Sequence, residues 1–167
     1  MCQELIPGGI WSRIGSEFDK TVFDKGITVD AAKKLIVKDE CQSLSLRFGR
    51  LQDQRRYEDL PALMTPDGTY TRLGEELSIA AFIDWIHTMP PNETRHFVTA
   101  TDFSEVTAGS AKSITYYTLY LYNGDAEKPY PLDGPFVVGE YHERFTKTDA
   151  GWKIRSREAQ IIFRKSK

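Results

Sequence analysis

The sequence predicts an α+β domain, in which a cone-shaped, curved antiparallel sheet wraps on a long N-terminal helix. Two observations support this prediction. Residues 29–51 are amphipathic with helical spacing, and four β-rich segments follow one another after the pair Pro90–Pro91. Helices that precede a run of strands are typical of folds whose helices cover one face of an antiparallel sheet. We expect such a sheet to leave a conical cavity at one end.

Three helices are predicted before the four long strands. In the first, over residues 29–51, apolar side chains recur at steps of three and four residues and so share one face: Val37, Cys41, Leu44, Phe48 and Leu51. A short second helix is predicted in DQRRYEDLPALM, where Pro61 is tolerated only in a first turn. The third begins after Ser78, a candidate N-cap, and ends before Pro90–Pro91.

One short strand precedes the third helix and four long strands follow it. The short strand lies in PDGTYTRLG, after a turn. The long ones mix β-branched and aromatic residues with polar residues: TRHFVTATDFSEV, SAKSITYYTLYLYN, GPFVVGEYHERFTKT and GWKIRSREAQIIFRK. TAGS and TDAG between them predict hairpin turns, and GDAEKPYPLDG predicts a longer loop at the rim of the sheet.

Composition narrows the class of protein. The chain has 167 residues, about one domain, and a net charge of −2, which argues against a basic nucleic-acid-binding face. No apolar run approaches the roughly 20 residues of a membrane span. Cys2 and Cys41 cannot form a disulfide framework, so a cytoplasmic location is expected. We predict a leader over residues 1–28, a candidate interface arm, followed by one domain over residues 29–167.

Three stretches of the chain resemble the SnoaL-like branch of the nuclear transport factor 2-like superfamily. They are FGRLQDQRRYEDLPALMTPDGTY after the first helix, TRHFVTA, and the closing GEYHERFTKTDAGWKIRSREAQIIFRK. Together with the first helix they extend over roughly residues 29–165. The resemblance implies the α+β fold described above, on a scaffold that carries many different functions.

Asp53 and His96 match a pattern shared by scytalone dehydratase, bile-acid dehydratases and hexachlorocyclohexane dehydrochlorinase. In that pattern an aspartate follows the first helix and a histidine lies on the strand after the third. The resemblance implies that Asp53 orients and charges His96, and that His96 removes a proton from the substrate. Imidazole suits this task because its unperturbed pKa lies close to neutral pH. The structural alternative is a core histidine satisfied by a local hydrogen bond.

Six further residues are predicted to bind substrate: Tyr70, Arg72, Tyr116, Tyr120, Tyr141 and His142. The resemblance implies polar groups of the pocket on the first strand, where Tyr70 and Arg72 share a face. Tyr116 and Tyr120 share an aromatic strand face that suits a flat ligand, and His142 shares a face with Glu140. Arg155, Arg157 and Glu158 on the last strand are interpreted as surface ion pairs. No spacing of His, Cys or carboxylate residues indicates a metal site, and no glycine-rich phosphate loop occurs, so we expect no cofactor.

The sequence therefore predicts a cofactor-independent lyase. Dehydration of a small cyclic or aromatic hydroxylated substrate is the first interpretation, and polyketide cyclisation or steroid-type isomerisation stay open. A non-catalytic role also stays open, either ligand binding or assembly of the kind served by the small subunits of ring-hydroxylating dioxygenases. Apolar residues at both parities of the long strands predict a homodimer or homotrimer through the outer sheet face. A small-molecule substrate is the other expected partner, with neither nucleic acid nor membrane.

Overall fold

The computed structural model describes residues 29–166 of the chain, so the predicted leader lies outside the described residues. Within this range the helices are α1 (Val29–Asp53), a 3₁₀ helix (Tyr57–Leu63) and α2 (Ile79–His87). The strands are β1 (Met64–Arg72), β2 (Glu75–Ser78), β3 (Glu93–Val106), β4 (Ser110–Tyr122), β5 (Val137–Thr148) and β6 (Gly151–Arg164). These elements confirm the predicted α+β class.

The six strands form one curved sheet with the order β2-β1-β6-β5-β4-β3. Register shifts in β3, β5 and β6 interrupt the pairing, and bulges of this kind bend a sheet. Among the described strands the sheet is mostly antiparallel, as predicted, and its one parallel pairing is that of β1 with β6. These two strands are far apart in sequence, so no hairpin dictates their direction. The sheet is also open, since β2 and β3 are its two edges.

Two short elements differ from their predictions. The predicted second helix is the 3₁₀ helix, with Pro61 inside it, and the sequence does not predict the short strand β2. Acidic residues are depleted in strands, and the sequence of β2 is EELS. Helix α1 extends two residues beyond its predicted end, to Asp53, and Arg55 then takes a left-handed conformation with a φ of 57°.

The core lies between the helices and the inner face of the sheet. Four residues of the predicted apolar stripe of α1 are buried: Cys41, Leu44, Phe48 and Leu51. Helix α2 buries Ile79, Phe82 and Ile83. Its N-cap is Ser78, as predicted, because the Ser78 side chain accepts a hydrogen bond of 3.2 Å from the backbone N–H of Ala81.

A buried ion pair joins α1 to the sheet. The side chains of Arg157 and Glu143 are both fully buried, with 3.5 Å between Arg157 Nε and Glu143 Oε1. Ser45 Oγ of α1 lies 2.8 and 3.0 Å from the two oxygens of Glu143, and Thr115 of β4 donates to the same carboxylate at 3.1 Å. The contact between Ser45 and Glu143 connects residues 98 positions apart in the sequence. The ion pair thus ties α1, β4, β5 and β6 together.

The prediction that Arg157 forms a surface ion pair is wrong, because its side chain is fully buried. Its guanidinium lies 3.7 Å from the ring centroid of Tyr141 and 4.6 Å from that of Phe48, so it is covered by aromatic faces. A register shift between Arg144 and Phe145 on the neighbouring strand interrupts regular pairing close to this point. Simple alternation along the last strand therefore gives the wrong environment for Arg157.

The outer face of the sheet carries exposed apolar side chains. Phe97, Tyr116 and Ile162 are 54%, 55% and 53% exposed. The homodimer or homotrimer through this face stays a prediction. Within residues 29–166, neither α-helix combines the length and apolarity needed to cross a bilayer.

We predict that Glu143→Ala lowers the free energy of unfolding by about 3–5 kcal/mol, because it leaves the Arg157 charge buried without a counter-ion. The double variant Glu143→Leu/Arg157→Met removes both charges and should lose less than the sum of the two single variants. Urea unfolding measures both values. Glu158→Ala, an exposed neighbour of Arg157, is the control and should change stability little. Additive losses would contradict coupling within the pair.

Candidate active site

Asp53, the last residue of α1, contacts His96 of β3 twice. Asp53 Oδ1 lies 2.6 Å from Nδ1 of the His96 ring, and Oδ2 accepts a hydrogen bond of 2.8 Å from the His96 backbone N–H. Thr94 Oγ1 donates to Oδ1 at 3.0 Å. The side chains of His96 and Asp53 are only 8% and 12% exposed. One carboxylate therefore holds both the ring and the main chain of the histidine.

The local sequence explains why α1 comes this close to β3. Gly49 lies one helical turn before Asp53, on the same side of the helix. A Cβ at Gly49 would lie 3.2 Å from His96 Cβ and 3.4 Å from Val98 Cγ2, so a side chain there would press on the strand. Alternation along β3 turns Thr94, His96 and Val98 toward the helix. The missing side chain of Gly49 thus allows Asp53 to reach His96.

The protonation states follow from these contacts. Burial raises the pKa of Asp53, but the hydrogen bonds and charge of His96 and the hydrogen bond from Thr94 outweigh it, and the net pKa lies below its ordinary value. The carboxylate is therefore ionised at neutral pH. An ionised acceptor at Nδ1 keeps the proton of a neutral imidazole on Nδ1, which leaves the Nε2 of His96 as a proton acceptor.

His96 lines a cavity of about 730 Å³ at one end of the sheet. The walls come from the ends of α1, β1 and α2 and from the inner faces of β3 to β6. Most of the surface is apolar, from residues that include Trp85, Leu119, Leu121, Phe136, Val137 and Ile161. Among the described residues, none forms a hydrogen bond with Nε2 of His96. A cavity of this size accommodates a small cyclic compound.

Three of the six predicted substrate-binding residues lie on the inner side of the fold. Arg72 lines the cavity. Tyr70 and Tyr141 are buried beneath it and do not line it. The neighbouring Tyr117 lines it instead, with its ring stacked 4.0 Å from that of Tyr141. Burial raises the pKa of Tyr117 and of Tyr141, so both phenols stay protonated at neutral pH.

The other three do not reach this cavity, and the expectation for them is corrected. Tyr116, Tyr120 and His142 lie on the outer face, because side chains one residue apart along a strand point to opposite faces. His142 Nε2 bonds there to Glu140 at 3.0 Å. Tyr120 borders a second, smaller cavity of about 340 Å³ beneath the loop after β4.

Sequence reasoning missed Gly49, Thr94 and Tyr117. Two of them carry a positional signal, since Gly49 lies four residues before Asp53 on a helix and Thr94 lies two residues before His96 on a strand. Tyr117 differs in parity from Tyr116 and Tyr120, and only the fold shows which parity faces inward. In residues 29–166, no three Asp, Glu, His or Cys side chains are grouped so that they could hold a metal ion.

Comparison with solved structures shows the same fold in proteins of low sequence identity. An NTF2-like protein with a cystatin-like fold from Novosphingobium aromaticivorans superposes with a TM-score of 0.64 at 21% identity, covering 84% of this chain and 92% of that one. A candidate scytalone dehydratase from the same organism has a TM-score of 0.62 at 18% identity, covering 77% and 86%. The β subunit of a candidate aromatic-ring-hydroxylating dioxygenase, also from that organism, has 0.62 at 15%, covering 78% and 92%.

Sequence comparison identifies the family. No curated protein matches the chain. A family model described as a SnoaL-like domain matches residues 33–158, which is most of the chain and includes both Asp53 and His96. The chain therefore belongs to the SnoaL-like domain family.

Proposed function

We propose that this protein is a lyase of the dehydratase type, in which His96 is the general base and Asp53 orients it. The observation that carries the proposal is the 2.6 Å contact between Asp53 Oδ1 and His96 Nδ1 at the edge of a largely apolar cavity. A base held by a carboxylate on its far nitrogen has its accepting nitrogen fixed and its imidazolium stabilised.

The proposed reaction uses only side chains of this chain. The Nε2 of His96 takes a proton from a carbon next to a carbonyl group of the substrate, and the C–H electron pair forms the new C=C bond. The C–O bond on the neighbouring carbon breaks, and the leaving oxygen takes the proton from Nε2 of His96 and departs as water. This transfer returns His96 to its neutral form. Throughout, Asp53 stays ionised and holds Nδ1.

The cavity and the neighbouring fold support the substrate class. A largely apolar cavity of about 730 Å³ favours a small cyclic or aromatic compound with one or two oxygen substituents. The candidate scytalone dehydratase has the same fold, although at 18% identity the likeness extends to the fold alone. Cyclisation and double-bond isomerisation begin with the same proton abstraction, so they remain the alternative outcomes of the test.

Two probe compounds test the proposal. 3-Hydroxy-1-tetralone eliminates water to give 1-naphthol, which is followed by absorbance, and 1-tetralone exchanges its C2 protons in D₂O, which is followed by NMR. We expect the protein to accelerate both reactions over buffer. Exchange without dehydration would favour an isomerase or cyclase over a dehydratase. Acceleration of neither reaction would overturn the enzyme proposal in favour of a binding or assembly role.

We predict that His96→Asn lowers the exchange rate of 1-tetralone by about 10²–10⁴-fold, the usual contribution of a general base. Asp53→Asn should also lose much of the rate, because an amide can favour the wrong tautomer of the imidazole. The double variant should be no slower than His96→Asn alone, since the two residues act as a unit. His142→Asn is the matched control, because His142 also bonds to a carboxylate but lies on the outer face. Additive losses, or an equal loss in the control, would sink the assignment.

The spacing between α1 and β3 gives a second prediction. Gly49→Ala should lower the exchange rate by about tenfold or more, because displacing Asp53 by even a fraction of an ångström weakens its contact with His96. The control is Gly109→Ala, where an added Cβ meets no atom within 4 Å. Both variants are compared by exchange rate and by melting temperature. A Gly49→Ala variant with wild-type rate would show that this close approach does not position the pair.

The lowered pKa of Asp53 gives a pH-dependent prediction. Because the pKa of this group is lower in the folded than in the unfolded protein, its stabilisation is present above the unfolded value of about 4. It is lost as the pH falls through the folded value. The stability difference between wild type and Asp53→Asn, measured by urea unfolding, should therefore shrink below about pH 4. Asp84→Asn, at an exposed position of α2, should show little difference at any pH. A difference that grows on acidification would have the wrong sign.

A further inference from the structure

We propose that the ligand of this cavity carries a carboxylate, which Arg72 binds on the wall opposite His96. The inference rests on the proposed function only in treating that ligand as the substrate. Three arginines line the cavity, namely Arg55, Arg72 and Arg164. None of the described lining residues is Asp or Glu. A largely apolar cavity with only cationic side chains of fixed charge favours an anionic ligand.

Arg72 is held in place but keeps free donors. Its guanidinium lies 3.7 Å from the ring centroid of Trp85, which also lines the cavity. The nearest carboxylate oxygen, on Glu75, is 3.9 Å away, and the Glu75 side chain is 65% exposed whereas that of Arg72 is 23% exposed. No described residue accepts a hydrogen bond from the Arg72 guanidinium. A planar guanidinium stacked on an indole presents its N–H edge to a ligand and matches a carboxylate through two parallel hydrogen bonds.

The other two arginines are less suited to this role. Arg55 donates to the backbone carbonyl of Asn92 and lies 3.7 Å from Glu93. Its guanidinium therefore already has polar partners at the rim of the cavity. Arg164 is exposed at the end of β6, and its guanidinium is 5.9 Å from the Phe136 ring centroid. Water weakens a charge of that kind more than it weakens a half-buried one.

The topology places Arg72 and His96 on different walls. Arg72 ends β1 and is paired with Ala159 of β6, whereas His96 lies on β3, at the far edge of the sheet. The curvature brings both side chains to the same cavity. A ring compound whose carboxylate is bound by Arg72 would lie against the apolar wall between them, near Val137 and Ile161, with its other end toward His96. One half-buried guanidinium neutralises one negative charge, which matches a carboxylate better than a phosphate dianion.

Isothermal titration calorimetry with two nearly isosteric probes tests the inference. 2-Naphthoate carries the charge and 2-naphthamide does not. We expect the wild-type protein to bind the naphthoate about tenfold more tightly or better, a preference that weakens as salt is added. Arg72→Gln should abolish this preference and leave the affinity for the amide nearly unchanged. Arg155→Gln is the matched control, since Arg155 pairs with Asp67 at the surface and lies outside the cavity. Melting temperatures establish that both variants fold.

Equal affinity of the two probes for the wild type, or no binding of naphthoate, would overturn the inference. So would a preference that survives in Arg72→Gln or disappears equally in Arg155→Gln. His96→Asn separates this inference from the proposed function, because it should bind naphthoate like the wild type while losing proton exchange of 1-tetralone. Charge preference together with exchange that does not depend on His96 would overturn the proposed function alone. His96-dependent exchange without charge preference would overturn this inference alone.

Discussion

The buried pair of Arg157 and Glu143 is the constraint on which the candidate site depends. Burying two charges costs least when they are paired and hydrogen-bonded, and Ser45 of α1 donates a hydrogen bond to Glu143. The position of α1 over the sheet is therefore fixed at Ser45. Gly49 and Asp53 follow at intervals of four residues, on the same side of the helix. Fixing Ser45 over Glu143 thus carries Gly49 onto β3 and Asp53 onto His96.

The pair of Arg157 and Glu143 also supports the part of the cavity wall that Tyr117 forms. The guanidinium of Arg157 lies on one face of Tyr141, and Tyr117, which lines the cavity, stacks on Tyr141. This stack needs a glycine beside it, because a Cβ at Gly139 would lie 2.8 Å from the Tyr117 ring and 2.2 Å from the carbonyl oxygen of Gln160. The position of an apolar wall of the cavity therefore depends on a charge buried behind it. A substitution at Arg157 would act on the cavity without contacting a ligand.

The sequence predicts the elements of this fold better than it predicts the environments of single residues. Helix α1 and the four long strands are predicted correctly because the spacing of their apolar residues repeats over many positions. Strand alternation predicts an exposed Arg157, and this is wrong because a bulge interrupts the regular pairing near it. Alternation also does not say which parity faces inward, so it cannot distinguish Tyr116 from Tyr117 as the residue that lines the cavity. Asp53 and His96 came from a resemblance to a family, since 43 positions separate them and no local pattern connects them. Gly49 shows its role only when β3 is placed against the helix.

A histidine bonded to a carboxylate is not by itself a mark of an active site in this protein. The chain has three histidines, and each lies within hydrogen-bonding distance of a carboxylate: His87 with Glu58 at 3.1 Å, His142 with Glu140 at 3.0 Å, and His96 with Asp53 at 2.6 Å. Their surroundings differ. The side chains of the first pair are 56% and 79% exposed and those of the second 35% and 27%, whereas those of the third are 8% and 12%.

Burial changes what such a contact can do. At an exposed pair, water screens the charges and replaces either partner at little cost, so the carboxylate has little hold on the ring. The carboxylate of Asp53 is bound by the His96 ring, by the His96 backbone N–H and by Thr94. Because the carboxylate is nearly buried, water does not readily replace these partners. When Nε2 of His96 takes up a proton, the ring becomes positively charged. The Asp53 carboxylate, 2.6 Å from Nδ1 of that ring, stabilises this charge without moving. This preorganisation, rather than the presence of a histidine and an aspartate, distinguishes the pair as the candidate proton-transfer site.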